Sequence, residues 1–360
     1  MRQATRGGLC ALTARRLALA AVCLLVACAP VEWMAVIEGE SAGLEWPPAP
    51  NPLKVRYLGE IRGFKEIGRS LAGFLVGTSK TAGKIIKPVA VTVGLDGRIA
   101  VADLGRRAVH LYIPAEKKYR LIYQTGTAEL QSPVGVTFDD SLRLYVADSV
   151  LQKVFVFDPA GTIVKEIVAA GQTAFKRPTG LAFQKKDGLL YIVDTGLHQI
   201  HIFSAESGYR YSFGTRGIGE GEFNVPTHIG AGPDGRLYIN DTMNFRVQIF
   251  EPQKGFVAKF GRHGNGSGDF AMPKGVGVDR WGIIYVVDTL FDNVQLFDQE
   301  GHFLLTIGGR GYAAGEFWLP NGLFIDHQDR LYVCDTYNQR VEIFQLFDNQ
   351  LEDGLASAAP

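Results

Sequence analysis

Residues 282–298, GIIYVVDTLFDNVQLFD, set Asp288 and Thr289 between two dense apolar runs. A carboxylate beside a hydroxyl at a strand end has two chemical uses. It can act as a general base or nucleophile with a hydroxyl partner, or it can accept hydrogen bonds from the amides of the turn that follows. The number of copies decides between them. LRLYVADSVLQKVFVFD (142–158), LLYIVDTGLHQIHIFS (189–204), GRLYINDTMNFRVQIFE (235–251) and DRLYVCDTYNQRVEIFQ (329–345) repeat the frame, and GRIAVADLGRRAVHLYI (97–113) is a weaker copy. Asp103, Asp148, Asp194, Asp241, Asp288 and Asp335 follow one another at 45, 46, 47, 47 and 47 residues. A reaction needs its carboxylate once, whereas one recurring at a fixed period belongs to a repeated supersecondary unit. These aspartates are therefore read as turn formers that accept amides just past their strands.

Histidines offer the next test. Each unit is led by a proline (Pro88, Pro133, Pro178, Pro226, Pro273, Pro320), and two residues later stand Ala90, Gly135, Gly180, His228, Gly275 and Gly322. A metal-dependent lyase or hydrolase built on a ring of repeats would need ligands at such equivalent channel-mouth positions. Zinc takes about three protein ligands even in catalytic sites, so one histidine makes no metal centre, and no cofactor is expected. His228 keeps two readings, as a hydrogen-bonded channel liner or as a lone ligand or base. Thr179, Thr227, His228, Lys274 and Asn321 all follow lead prolines by one or two residues. If first strands line a channel, these side chains converge at its mouth as a candidate ligand site, with a water-filled mouth as the alternative.

Each repeat reads as four short strands, as in GVGVD (275–279), IIYVVD (283–288), NVQLFD (293–298) and HFLLTIG (302–308). The first three are nearly continuous apolar runs, which demand cover on both faces. The sixth unit supplies only three strands, and KVRYLG (54–59) matches the missing fourth. The expected fold is all-β: a six-bladed β-propeller of four-stranded antiparallel blades, with an N-terminal strand closing the last blade and removing two sheet edges.

The ends of the chain carry other information. MRQATRGGLCALTARR has four arginines and no acid, and LALAAVCLLVA (17–27) follows as an apolar core. This is the layout of an export signal, and the apolar run is shorter than the about 18 residues that a membrane-spanning helix needs. LVAC (25–28) resembles the bacterial lipobox, which implies acylation of Cys28. Residues 1–27 are then the signal peptide, 28–53 a proline-rich tether, 54–347 the propeller and 348–360 a loose tail. Cys334 remains as a small core thiol. With 37 basic and 37 acidic residues the chain has no net charge and no electrostatic case for nucleic acid.

The P-x-G-apolar-x-apolar-D opening, the G-x-L-Y-V-x-D-[ST] and N-x-R-V-x-apolar-F strands, and links such as GEGEFNVP (219–226) and GSGDFAMP (266–273) resemble the NHL-repeat family over residues 54–347. Leu104 and Ala100 in the first unit depart from that pattern. The resemblance implies a platform for binding proteins, while relatives with the same ring include lyases. On the face shared by the loops between second and third strands and the links between blades, Leu151, Leu197, Phe245, Phe291, Trp318 and Tyr337 form a candidate partner surface, or else fold down to cap the blades. In the long stretch between Gly59 and Pro88, Phe64, Ile67, Leu71 and Phe74 have the spacing of a short amphipathic helix, expected to lie across that face. The reading is an exported scaffold, lipid-anchored in the bacterial envelope and periplasm-facing, with an envelope protein or peptide as partner. A metal-dependent lyase or hydrolase is the alternative.

Overall fold

The computed structural model describes residues 32–39, 43–52, 54–67, 83–126, 128–204 and 208–348. These form a six-bladed propeller of antiparallel four-stranded sheets, with consecutive strands as neighbours in the first five blades. The first strands are Pro88–Val93, Pro133–Phe138, Pro178–Gln184, Pro226–Ala231, Pro273–Val278 and Pro320–Ile325. They lie next to one another around the axis, the last against the first.

Composition explains the order within a blade. Second strands such as Leu144–Asp148 and Ile284–Asp288 are buried at every position, sandwiched between neighbouring blades. Fourth strands such as Gly255–Phe260 alternate with solvent and form the rim. The hydrophobic core consequently lies between blades. Tyr285, Val287 and Leu296 of blade five pack with Leu323, Leu331 and Phe344 of blade six. The glycines two residues after the lead prolines permit this approach: a Cβ on Gly135 would stand 1.9 Å from the Thr179 carbonyl oxygen, and one on Gly322 would stand 2.6 Å from that of Val89. Cys334 is fully buried in the core shared by blades six and one.

Blade six is closed by the N-terminal part of the chain. β1 (Glu32–Glu38), β2 (Glu45–Trp46) and β3 (Val55–Ile67) precede the blades, and β3 pairs antiparallel with Arg340–Leu346, Val55 opposite Leu346 and Ile61 opposite Val341. A buried ion cluster locks the junction, the Arg340 guanidinium donating to Glu60 at 2.5 Å and to Asp335 at 2.8 Å.

Two expectations are corrected here. The helical stripe from Phe64 fails at its start, because β3 continues as strand to Ile67. Phe64 is buried and stacks on Tyr119 at 5.1 Å between ring centres, while Ile67 is exposed. The cause is tertiary pairing. The Phe64 amide donates to the Gly83 carbonyl at 2.9 Å, and the Ile85 amide to that of Arg62 at 3.1 Å. Leu71 and Phe74 lie outside the described residues. The stretch read as a tether is extended but docked. β1 adds a further strand beside β3, and Trp33 packs on Tyr119 of blade one at 4.6 Å while its amide donates to the Lys117 carbonyl.

Candidate functional site

The recurrent aspartates close the loops at the end of the ring where first strands begin, here called the mouth face. Asp194 accepts the amides of Lys176, Arg177, Gly196 and Leu197 at 2.7–3.0 Å, tying the incoming link to the loop after the second strand. Asp148 and Asp288 each bond the equivalent four amides. Burial pushes the Asp288 carboxyl above its ordinary range against these bonds. Burial also raises Asp103, but His110 and the amides of Ile86 and Lys87 outweigh it and hold it low. All six carboxylates are fully buried.

The hydroxyl next to the aspartate works on a different scale. Thr195, Thr242 and Thr289 donate to the carbonyls of Pro226, Pro273 and Pro320, each the lead proline of the next blade, at 2.5–2.8 Å. Thr336 donates to Pro88 at 2.7 Å and ties blade six to blade one, whereas blade one has Leu104 in this slot and Ser149 of blade two bonds Ser132 of its own link. The Asp-Thr pair is thus a structural device: the acid fastens its own blade, and the hydroxyl stitches that blade to its neighbour. The sequence showed the recurrence of the pair but not this division of labour.

All six first strands line a central cavity of about 120 Å³. At its mouth the structure brings His228, Lys274 and Asn321 together. His228 lines the channel half-buried beside Asn321 and has a buried Nδ1 with no partner. Burial, helped by the nearby Lys274 charge, drives its pKa down to about 3, so the imidazole is neutral. The cross-strand neighbour of His228 is the fully buried Asn240, whose amide donates to the Lys274 carbonyl. Nothing in the repeat pattern marked Asn240, which takes a slot held by Ala102, Ala147 and Val287 in other blades. Thr179 and Thr227 are diverted to structure, bonding the hydroxyls of Thr195 and Thr242 at 2.7 Å.

The residues expected to form a partner surface are placed differently in detail. Tyr337 is exposed, but Leu151, Leu197, Phe245, Phe291 and Trp318 are half-buried. Leu151 packs down onto the core of blades one and two, and Phe245 onto His263 at 4.4 Å. The exposed apolar residues of these loops stand earlier, at Val150 and Leu290 by one position and Met243 by two, joined by Ile218 and Tyr312 in the links. Tyr312, Trp318 and Tyr337 make a continuous aromatic track with ring centres 5.3 Å apart at each step, and the Lys87 ammonium sits 5.5 Å from the Tyr337 ring. Among the described residues, the one acidic and histidine group with metal-like spacing, Asp298, Glu300 and His302, lies on a turn of the opposite face, away from the channel.

A family described as a 6-bladed beta-propeller matches residues 279–353. Solved structures match over most of the chain at low identity. Virginiamycin B lyase from Staphylococcus aureus is 12% identical with a TM-score of 0.53, covering 72% of this chain and 95% of its own. A gluconolactonase from Xanthomonas campestris is 14% identical at 0.56, covering 73% and 87%. An auxiliary nutrient binding protein from Bacteroides thetaiotaomicron is 12% identical at 0.56, covering 74% and 70%. These likenesses show the fold. No curated protein matches.

Proposed function

We propose that this chain is an exported, lipid-anchored propeller of the bacterial envelope that binds a protein or peptide partner on its mouth face. The observation that carries this reading is the aromatic track. Tyr312 is 70% and Tyr337 45% exposed, with Trp318 between them and the apolar Ile218, Met243 and Leu290 on the same face. Exposed aromatic side chains in a row, ending on a cation, have the composition of an interface core rather than of a solvated loop surface.

The point of attachment supports the same orientation. Trp33 is tied to Lys117, in the turn between the third and fourth strands of blade one, which is the face opposite the mouth. Cys28 stands four residues before β1, and four residues span at most about 14 Å. An acyl chain on Cys28 would hold that side near the bilayer and turn the aromatic track outward. A metal-dependent lyase or hydrolase would need several ligands at the channel mouth. Among the described residues lining the central cavity, His228 stands with no carboxylate or thiol.

Photo-crosslinking tests the reading. A photoreactive residue at Tyr312 or Tyr337 should give discrete protein adducts in intact cells, and one at Glu300 on the opposite face should not. Adducts confined to the Glu300 position would refute it.

A further inference from the structure

We propose that the channel mouth is an oxyanion site, taking one carboxylate or phosphate group of a ligand between Lys274, Arg177 and Lys87. The three cations come from alternate blades. Lys87 and Arg177 directly precede the lead prolines of blades one and three, and Lys274 directly follows that of blade five. Around a six-bladed ring such positions surround the axis. The residues one before, one after and two after the six lead prolines include these three cations and no aspartate or glutamate. The recurrent aspartates do not neutralise them, because those carboxylates are fully buried and turned to their own loop amides.

Lys274 carries the argument furthest. It is half-buried at the mouth, and among the described residues its ammonium has no hydrogen-bond or ion-pair partner. Its nearest charged influence is another cation, Arg177; burial first and that guanidinium second hold its pKa below the usual lysine range. Its neighbour His228 is neutral and offers no counter-charge. An ammonium that faces another cation and has no acidic neighbour is stabilised by an anion placed between the two. The opposite end of the channel is arranged differently. There Arg280 is bound to Asp329 at 2.6 Å, and Lys186 donates to the Asp234 carbonyl at 3.1 Å. Lys87 rests on Tyr337, so the site is continuous with the aromatic track. A partner seated on that track could present an acidic group to the mouth.

This inference deepens the binding-face reading and can fail separately from it. The test uses the full chain in detergent, with inorganic phosphate and succinate as probes against chloride at constant ionic strength, followed by thermal unfolding. Phosphate, succinate or both should raise Tm saturably; phosphate alone identifies a phosphate-bearing ligand and succinate alone a carboxylate. Lys274→Met should raise Tm in chloride, because it removes an unpaired cation at similar length, and should abolish the response. Arg177→Gln, at an exposed position, should weaken the response about tenfold. Arg310→Gln, outside the collar, should leave it intact. No response to either probe, a full response in Lys274→Met, or an unchanged one in Arg177→Gln overturns the site. Loss of the anion response with intact crosslinking at Tyr312 would overturn this site alone and leave the partner reading standing.

Discussion

Glu342→Gln should stabilise this protein, and the gain should grow with pH. Glu342, Glu60 and Asp335 surround the guanidinium of Arg340 inside blade six; Glu60 is also paired with Arg62, which leaves Glu342 and Asp335 to share Arg340. Glu342 Oε1 accepts the Gly315 amide at 3.2 Å, but Oε2 is buried without a partner. Burial first, and the neighbouring carboxylates after it, push the Glu342 carboxyl well above its ordinary range despite Arg340. Blades four and five show the alternative. Gln248 and Gln295 occupy the same slot, seven residues after the aspartate, and donate to the Glu222 and Asp269 carbonyls at 2.7 and 2.8 Å. Their side-chain oxygens accept Gly221 and Gly268, the counterparts of Gly315. A glutamine at 342 would find the Glu316 carbonyl in the equivalent place, while Arg340 keeps Glu60 and Asp335.

The sign follows from the raised carboxyl. Below the ordinary glutamate range, Glu342 is protonated in both folded and unfolded chains and costs nothing. As pH rises, the unfolded chain ionises first, so folded stability is lost up to the folded pKa. Removing a buried unsatisfied acceptor is worth about 1–3 kcal/mol. At about 2 °C per kcal/mol for a domain of this size, the gain at pH 8 should be about 2–6 °C in Tm, shrinking towards pH 4.5. Thermal unfolding of parent and variant across that range checks it. A variant less stable than the parent at pH 8, or a difference that ignores pH, refutes the reasoning.

Other expectations follow from the same geometry. Gly135→Ala should cost about 1–3 kcal/mol in urea denaturation, because its methyl meets a backbone carbonyl that can move only with blade three. Deleting residues 1–60 removes Glu60 and half of β3, so stability should fall by at least about 3 kcal/mol; melting at the parent temperature would rule out the lock. Thr336→Val leaves the buried Pro88 carbonyl unbonded at ring closure and should cost about 1–2 kcal/mol, measured by the same denaturation. Cys28→Ser should shift the protein from the membrane to the soluble or unprocessed fraction on cell fractionation.

The fold was legible in the residues because a propeller is periodic. A blade cannot bury two apolar faces alone, so the pattern of Val, Ile and Tyr before each aspartate implies neighbours on both sides. The glycines after the lead prolines report the close approach of inner strands. Even the closing strand could be read, since the sixth unit lacks its outer member and KVRYLG has the required pattern.

Other features belonged to tertiary structure alone. Residues 64–67 have a helical spacing, yet they extend because Arg62 and Phe64 find backbone partners at Ile85 and Gly83. β1 is not marked by any repeat, and it docks because β3 offers it an edge. In the loops between second and third strands, apolar residues stand at adjacent positions, and composition does not say which faces water. The fold decides it. In blades two and five, the aspartate clamps the amides of the second and third loop residues, and the fourth has a positive φ, 58° at Gln152 and 53° at Asp292. That turn swings Leu151 and Phe291 down and leaves Val150 and Leu290 exposed. The cationic mouth has the same origin. Lys274 could be placed at the mouth from its lead proline, but Lys87 and Arg177 are far from it in sequence and unremarkable there. They share one opening because hydrogen-bond register places the start of every first strand at the same end of the ring.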